Sequence, residues 1–244
     1  MTGYNSHHLF NWRDAPFTAF WRGDTITFGS GAGLALQEIM FLENLGRLLQ
    51  PNNCLIIGNS YGWSTVATAL TFPGAKTVGI DSINEDGIRL TVQLFETLKL
   101  NGVAVLAESP NDVARVCTEQ FDGQVDFVLI DALHTNDAMT KDFQGVLPHC
   151  TEDCVFLFHD VINLKMIPAF NYIIKNSNLS GCILTKTASG MAIAYAKGEL
   201  SKDFEEYVQM FSDVPDIYKQ YRLQIAQRCD EMKAIYDDFS DLSM

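Results

Sequence analysis

The most informative residues in this sequence are carboxylate and imidazole side chains that stand directly after short apolar segments. They are Asp81, Asp131, His134, His159 and Asp160. The apolar segments are typical of strands that are buried on both faces of a parallel sheet. Because parallel strands end at the same edge of a sheet, and open α/β folds bind ligands at that edge, these side chains are expected to line one crevice.

Two kinds of chemistry are consistent with this set. Asp131, His159 and Asp160 supply two carboxylates and an imidazole, which can hold one divalent cation, Mg²⁺ or another. His134 follows Asp131 by three residues and is expected to face the same crevice, where an imidazole can act as a general base. Helix capping or loop hydrogen bonding is the alternative for each residue. It explains one such residue more easily than two matching groups on adjacent strand ends.

A turn containing two glycines, residues 58–62, follows the first apolar segment and precedes a predicted helix. Glycines let a ligand approach the backbone, and a helix N-terminus offers free N–H groups. Ser64 or Thr65 is expected to cap this helix. Asp81 lies 81 − 58 = 23 residues after Gly58, near the spacing at which an acid binds ribose hydroxyls. The turn and Asp81 therefore predict a site for a nicotinamide dinucleotide or an adenosyl ligand.

The middle of the chain alternates between apolar runs and amphipathic segments. The predicted strands are 55–57, 77–80, 103–106, 126–130, 155–158, 181–184 and 191–195, and the predicted helices between them are 64–70, 85–98, 111–118 and 136–147. This order predicts an α/β, Rossmann-like, doubly wound sheet of seven mostly parallel strands with helices on both faces. Residues 187–190 are short enough for a hairpin, so the last strand is expected to be antiparallel.

The two ends of the chain differ from this middle part. We predict one structural domain with three parts: an aromatic and glycine-rich cap followed by a helix over about residues 34–49 (1–50), the ligand-binding part (51–198) and an acidic helical extension (199–244). The cap includes Phe20, Trp21 and Phe28 and is expected to exclude water from the substrate. The extension carries four large side chains at helical spacing, which are Phe204, Tyr207, Met210 and Phe211. Both ends are expected to pack against the sheet or to form the interface of a homodimer.

Composition excludes several classes of function. The chain of 244 residues is 47% hydrophobic and 19% charged, which excludes a disordered protein. Its formal net charge of −13 and the lack of a Lys/Arg cluster argue against nucleic acid or a membrane surface as partner. We find no signal-peptide pattern and no apolar stretch of membrane-spanning length, so a cytoplasmic location is expected. The six cysteines are scattered, as is typical of reduced thiols.

Together these motifs make residues 29–163 similar to class I S-adenosylmethionine-dependent methyltransferases. More narrowly, they are similar to the branch with small O-methyltransferases, macrocin-type sugar O-methyltransferases and cephalosporin-hydroxylase-like proteins. The segments that carry the resemblance are 58–65, 80–81, 130–136 and 158–161. The resemblance implies S-adenosylmethionine over the glycine turn, its ribose on Asp81 and its adenine near Glu108 and Ser109. The cofactor-binding residues it implies are Gly58, Asn59, Ser60, Tyr61, Gly62, Ser64, Asp81, Ser82, Glu108, Ser109, Asp131 and His134.

The same resemblance implies the chemistry. In metal-dependent members a cation is held by residues that match Asp131, His159 and Asp160, and the position of the catalytic lysine in catechol-type members matches His134. A hydroxyl of a small-molecule acceptor is then the expected methyl acceptor, with His134 and Asp131 as catalytic residues. Ile56 departs from the family, since an acid usually stands two residues before the first glycine. His159 departs too, because Mg²⁺ prefers oxygen ligands.

Two other functions stay open at this point. The first is a protein that binds an adenosyl ligand without catalysis, which Ile56 favours. The second is an NAD(P)-dependent oxidoreductase, which normally needs a Gly-x-Gly-x-x-Gly turn. Residues 58–62 lack its middle glycine.

Overall fold

The computed structural model of this chain describes residues 33–198 and 200–212, the backbone of two short strands near the N-terminus, and scattered helical residues between 223 and 234. Contacts divide the chain into two units, residues 33–212 and residues 1–32 with 213–244. In the second unit, strands β1 (Ala19–Arg22) and β2 (Thr25–Phe28) pair antiparallel. The side chains of Phe20, Trp21 and Phe28 lie outside the description, so the predicted aromatic cap stays a prediction.

Residues 33–212 form an alternating series of helices and strands. It begins with α1 (Leu36–Leu45), β3 (Asn53–Ile57), α2 (Trp63–Thr71), β4 (Lys76–Asp81), α3 (Glu85–Leu98), β5 (Gly102–Leu106), α4 (Val113–Gln120) and β6 (Val125–Ile130). It continues with α5 (Asn136–Val146), β7 (Cys150–Phe158), α6 (Ile167–Asn176), β8 (Leu179–Leu184), β9 (Met191–Ala196) and α7 (Lys202–Met210). The predicted order of strands and helices is confirmed. The division of the chain into parts at residues 50 and 198 stays a prediction.

The strands form one seven-stranded sheet in the order β5-β4-β3-β6-β7-β9-β8. Strands β3 to β7 pair in parallel, and β9 is antiparallel to both β7 and β8. The prediction of a mostly parallel sheet with an antiparallel last strand is therefore confirmed. The chain order reverses between β3 and β6, which is where an open α/β sheet leaves a crevice at its carboxyl edge.

A hydrophobic core lies on each face of the sheet. On one face the core includes Val113 of α4, Phe143 of α5 and Phe170 of α6. On the other face it includes Phe41 of α1 and Phe204 of α7. Each of these large side chains contributes about 1.5–3 kcal/mol when fully buried. Helices on both faces hold the strands, and therefore the strand ends, in a fixed arrangement.

The C-terminal helix α7 packs against this second core. Phe204 lies against the ring of Tyr195, and Tyr207 stacks on Phe41 and donates a hydrogen bond to its carbonyl oxygen at 3.0 Å. The expectation that the extension packs against the sheet is thus met for residues 202–211. Over the described residues, the chain has no helix that is long and apolar enough to cross a membrane.

Candidate active site

The glycine turn after β3 lies directly against the end of β6. Gly58 has φ +103°, and a Cβ built on it would lie 2.0 Å from the carbonyl oxygen of Asp131. The backbone N–H of Gly58 donates to the carbonyl oxygen of Ile80, and the N–H of Asp131 donates to that of Ile57. These bonds continue the sheet past the strand ends. The turn and Asp131 are consequently fixed relative to each other by the backbone.

The helix after this turn starts differently from the prediction. Helix α2 begins at Trp63, and its N-cap is Gly62, which has φ +85°. The expected cap by Ser64 or Thr65 is wrong, because both hydroxyls bond elsewhere. Ser64 donates to Oδ2 of Asp131 at 3.0 Å, and Thr65 donates to Oδ1 of Asn59 at 2.8 Å.

The predicted cofactor residues in the turn have unequal access to a ligand. Asn59 is buried, and its side chain bonds to Thr65 and to the hydroxyl of Thr91 at 2.9 Å. Its side chain therefore stabilises the turn from the protein interior. Ser60 is half-buried and Tyr61 is 38% exposed, so these two residues are more accessible to a ligand than Asn59.

Asp81 ends β4 and orders the loop beside the turn. Its Oδ2 accepts the N–H of Ser60 at 2.8 Å, and its Oδ1 accepts the N–H groups of Ile83 and Asn84 at 3.1 and 3.0 Å. An ionised carboxylate has about four acceptor sites, so Oδ2 keeps one for a ribose hydroxyl. Ser82 is exposed next to it. Asp81 can therefore accept a hydrogen bond from a ribose hydroxyl at one of its two carboxylate oxygens, Oδ2.

The two residues expected near adenine also have defined surroundings. Glu108 is exposed and accepts a bond from Asn111 at 2.9 Å. Ser109 donates to the buried carboxylate of Asp142 in α5 at 2.6 Å. Burial raises the pKa of Asp142, although the bond from Ser109 opposes this.

At the ends of β6 and β7, the structure brings together the remaining predicted residues. His159 Nδ1 lies 2.9 Å from Asp131 Oδ1 and 3.4 Å from Asp160 Oδ2. The contact with Asp131 is an ion contact with poor hydrogen-bond geometry. His134 is 30% exposed, and its Nε2 lies 3.9 Å from Asp131 Oδ1 and 3.7 Å from Asp160 Oδ2. His134 is thus open to a ligand and flanked by two carboxylates.

The structure adds a residue that the sequence analysis missed, which is Glu38 of α1. Its carboxylate is completely buried, and Oε2 lies 3.1 Å from Nε2 of His159. Oε2 also accepts the N–H of Ala35 at 2.7 Å, and Oε1 accepts the N–H of Ser189 at 2.8 Å and the Ser189 hydroxyl. The sequence contained a signal for this buried acid. Glu38 lies at helical spacing from Leu34 and Phe41, which are both buried.

Charge governs the protonation of this cluster. Burial alone would lower the pKa of His159, but the carboxylates of Asp131 and Glu38 outweigh it and raise this pKa well above its ordinary value. Burial would raise the pKa of Glu38, yet His159 lowers it. The pKa of Asp160 is also lowered, because its contacts with His159 overcome its burial. The charges around His159 therefore favour a proton on this ring.

This arrangement does not fit the predicted divalent cation. Nε2 of His159 faces Glu38 at 3.1 Å, whereas Nδ1 lies 2.9 Å from Asp131 without a hydrogen bond of good geometry. Within the described part of the chain, no group of three or more His, Cys, Asp or Glu side chains has a geometry that could hold a metal ion.

Comparison with known proteins agrees with the fold and the motifs. Residues 55–161 match a family described as a methyltransferase domain. A search of curated proteins finds no match. Among solved structures, the chain resembles an O-methyltransferase from Bacillus cereus in complex with SAH, with TM-score 0.57, 20% identity, and coverage of 68% of this chain and 83% of that one. It also resembles the O-methyltransferase TomG from Streptomyces achromogenes, in complex with SAM, with TM-score 0.57, 15% identity, and coverage of 69% and 83%.

The matched residues include the glycine turn, Asp81, Asp131, His134, His159 and Asp160. Strands β3 to β7, which carry these residues, all lie largely within the match. Residues 55–161 thus resemble a methyltransferase domain, on a sheet whose fold is that of the two O-methyltransferases named above.

Proposed function

We propose that this protein transfers the methyl group of S-adenosylmethionine to a hydroxyl oxygen of a small-molecule acceptor. One observation carries the proposal: the glycine turn, Asp81, Asp131 and His134 lie along one sheet edge and are linked by direct contacts. Ser60 bonds to Asp81, Gly58 packs on Asp131, and Ser64 bonds to Asp131. The relatives in complex with SAH and SAM support the choice of cofactor.

Each part of this edge has a role toward the cofactor. Oδ2 of Asp81 would accept a ribose hydroxyl, and the surface of the turn at Ser60 and Tyr61 would lie along the cofactor. Glu108 and Ser109 would border the adenine. S-adenosylmethionine, when bound, supplies an electrophilic methyl group, so the chain itself needs to supply alignment and removal of a proton.

His134 is the residue that would remove this proton. With the cofactor bound, the acceptor oxygen would form its bond to the methyl carbon as the carbon–sulfur bond breaks, the hydroxyl proton would go to Nε2 of His134, and S-adenosylhomocysteine would leave with the bonding electron pair on its sulfur. The carboxylates of Asp131 and Asp160, 3.9 and 3.7 Å from Nε2, stabilise the charged ring that results.

The experiment has two stages. The purified protein is screened for release of S-adenosylhomocysteine against a library of hydroxylated metabolites. His134→Gln is then compared with the wild type for turnover and for affinity toward S-adenosylhomocysteine. General-base help contributes about 10²–10⁴-fold, so turnover should fall by that factor while affinity changes little. His149→Gln is the matched control, because His149 precedes β7 at the opposite edge of the sheet.

The outcomes separate the alternatives. Equal losses of turnover and affinity in His134→Gln would show that His134 contacts the cofactor and is not the base. Tight binding of S-adenosylhomocysteine with no turnover on any acceptor would indicate a binding protein. That result would agree with the apolar Ile56, which is fully buried in β3 where related enzymes carry an acid.

A further inference from the structure

Helix α5 holds the loop after β5 through two direct contacts. The hydroxyl of Ser109 donates to Oδ1 of Asp142 at 2.6 Å. About one turn further along the helix, Gly145 packs on Pro110, since a Cβ added to this glycine would lie 2.4 Å from Cβ of Pro110. Asp142 is almost completely buried, and a buried carboxylate requires a hydrogen-bond partner. The position and the direction of the Ser109 hydroxyl are therefore set by α5.

The length of the bond between Ser109 and Asp142 indicates which group holds the proton. Bonds from a hydroxyl to an ionised carboxylate are about 2.5–2.7 Å long, shorter than bonds between neutral groups, and this one measures 2.6 Å. An ionised carboxylate only accepts hydrogen bonds, whereas a hydroxyl has one proton and two lone pairs. Because its single proton points at Asp142, the Ser109 oxygen can offer a ligand only lone pairs.

The loop that carries Ser109 lies beside the residue proposed to bind the ribose. The N–H of Ala107 donates to the carbonyl oxygen of Asp81 at 2.9 Å, which ties the loop to the end of β4. Within the loop, Oδ2 of Asp112 accepts the N–H of Glu108 at 2.9 Å. Ser109 itself is only half-buried. A ligand whose ribose lies at Asp81 can therefore reach Ser109 with its base.

We propose that Asp142 is a positioning residue that selects adenine in the bound cofactor, because it holds the Ser109 proton and leaves the Ser109 oxygen as an acceptor only. Adenine carries an N–H donor at its exocyclic nitrogen, whereas hypoxanthine carries a carbonyl oxygen at that position, as guanine does. The amino group can donate to Ser109, but the carbonyl oxygen would face it with lone pairs on both atoms. The inference rests on the proposed function for the placement of the base, but its test needs no methyl acceptor.

The first measurement compares two ligands that differ only in the base, S-adenosylhomocysteine and S-inosylhomocysteine. Calorimetry of the wild-type protein at neutral pH should give a dissociation constant at least about tenfold lower for the adenosyl ligand, because a site built to pair with a donor rejects an analogue that lacks it. Equal affinities, or no binding of either ligand, would overturn the proposal.

Asp142→Asn tests the role of Asp142 itself. The amide keeps the shape of the side chain but can donate as well as accept, so the Ser109 proton becomes free to point at a carbonyl oxygen. We expect the preference for the adenosyl ligand to fall about tenfold, through tighter binding of S-inosylhomocysteine. Burial raises the pKa of Asp142, so loss of its charge should not unfold the variant. A purely structural role would weaken both ligands by the same factor, and that result, or an unchanged preference, would refute the assignment.

Two further variants complete the test. Ser109→Ala removes the hydroxyl and should abolish the preference by weakening the adenosyl ligand; a preference that survives would show that Ser109 is not the contact and would overturn the proposal. Asp137→Asn is the matched control, because it makes the same change on the same helix at an exposed side chain that pairs with Lys141 at 2.7 Å. It should keep the wild-type preference, and a loss as large as that in Asp142→Asn would also refute the assignment.

The measurements separate this inference from the proposed methyl transfer. A preference for the adenosyl ligand that Asp142→Asn reduces, without turnover on any acceptor, would refute the proposed function and support the role of Asp142. Turnover with equal affinities for the two ligands would support the proposed function and refute the role of Asp142.

Discussion

Replacing Gly58 by alanine tests how tightly the glycine turn is fitted to the rest of the site. The new Cβ would lie 2.0 Å from the carbonyl oxygen of Asp131, whereas ordinary contacts are 3.4–4 Å. The turn and the end of β6 would have to separate by at least 3.4 − 2.0 = 1.4 Å. Either the turn or Asp131 must therefore leave its position.

The expected cost has two parts. A left-handed backbone costs a non-glycine residue about 1–2 kcal/mol, and overpacking a close contact typically costs about 1–3 kcal/mol. Together they predict a loss of about 2–5 kcal/mol in the free energy of unfolding. A domain with a stability of about 5–15 kcal/mol would remain folded. Since a displacement of about 1 Å can cost a hundredfold in rate, turnover should fall by about that factor.

Gly123→Ala separates the two parts. Gly123 has φ +126°, and the nearest described atom to its added Cβ is the side-chain nitrogen of Asn53 at 3.9 Å. This variant should lose only the backbone cost of about 1–2 kcal/mol. Urea unfolding and calorimetry with S-adenosylhomocysteine on both variants provide the comparison. Equal losses of stability, with full affinity in Gly58→Ala, would refute the fit between the turn and Asp131.

Two further predictions concern single carboxylates. Asp81→Asn should raise the dissociation constant of S-adenosylhomocysteine more than tenfold, because a hydrogen bond to a charged group contributes about 1.5–3 kcal/mol; unchanged affinity in calorimetry would remove Asp81 from the ribose site. Asp142→Asn should stabilise the protein at pH 7. The folded-state pKa of Asp142 is raised above its ordinary value of 3.8, so ionisation costs stability above that range and costs nothing well below it. Unfolding curves at pH 7 and pH 3 check this, and a gain that is equal at both pH values would contradict it.

Much of the fold was predictable because the local patterns agree with the final packing. Helix α3 has the predicted bounds, 85–98, since its apolar residues and its Asn84 cap are both local features. The predicted helix 34–49 is wrong at its end: α1 stops at Leu45 and Gly46 caps it. The later leucines that suggested a longer helix are placed by tertiary packing, as Leu49 contributes to the core outside any helix.

Strand β7 shows where apolar patterning is not sufficient. The sequence predicts a strand over 155–158, but β7 starts at Cys150. Glu152 and Asp153 are exposed in its first half, so the apolar run covers only the buried half. Pairing of Val125 with Cys150 extends the strand, and the register shifts before Phe127. Such an extension depends on a neighbouring strand that local sequence does not reveal.

The site was predictable to a similar degree. The sequence correctly predicted that a set of residues at the strand ends lies together, because β6 and β7 pair in parallel. The set is Asp131, His134, His159 and Asp160. The partner of His159 was missed, since Glu38 comes from a helix before the sheet and its approach is decided by packing. That omission changed the interpretation of the cluster. Glu38 accounts for Nε2 of His159, for which the strand ends offer no partner, whereas Nδ1 faces Asp131.

The charge at this edge also bears on why a histidine can serve as the base. The carboxylates of Asp131 and Asp160 both lie near Nε2 of His134, at 3.9 and 3.7 Å. These carboxylates therefore attract the proton that His134 takes up. A divalent cation bound to these two carboxylates would cancel their charge and repel the protonated ring. A base role for His134 therefore requires that no cation binds Asp131 and Asp160, which agrees with the described residues containing no group that could hold a metal ion.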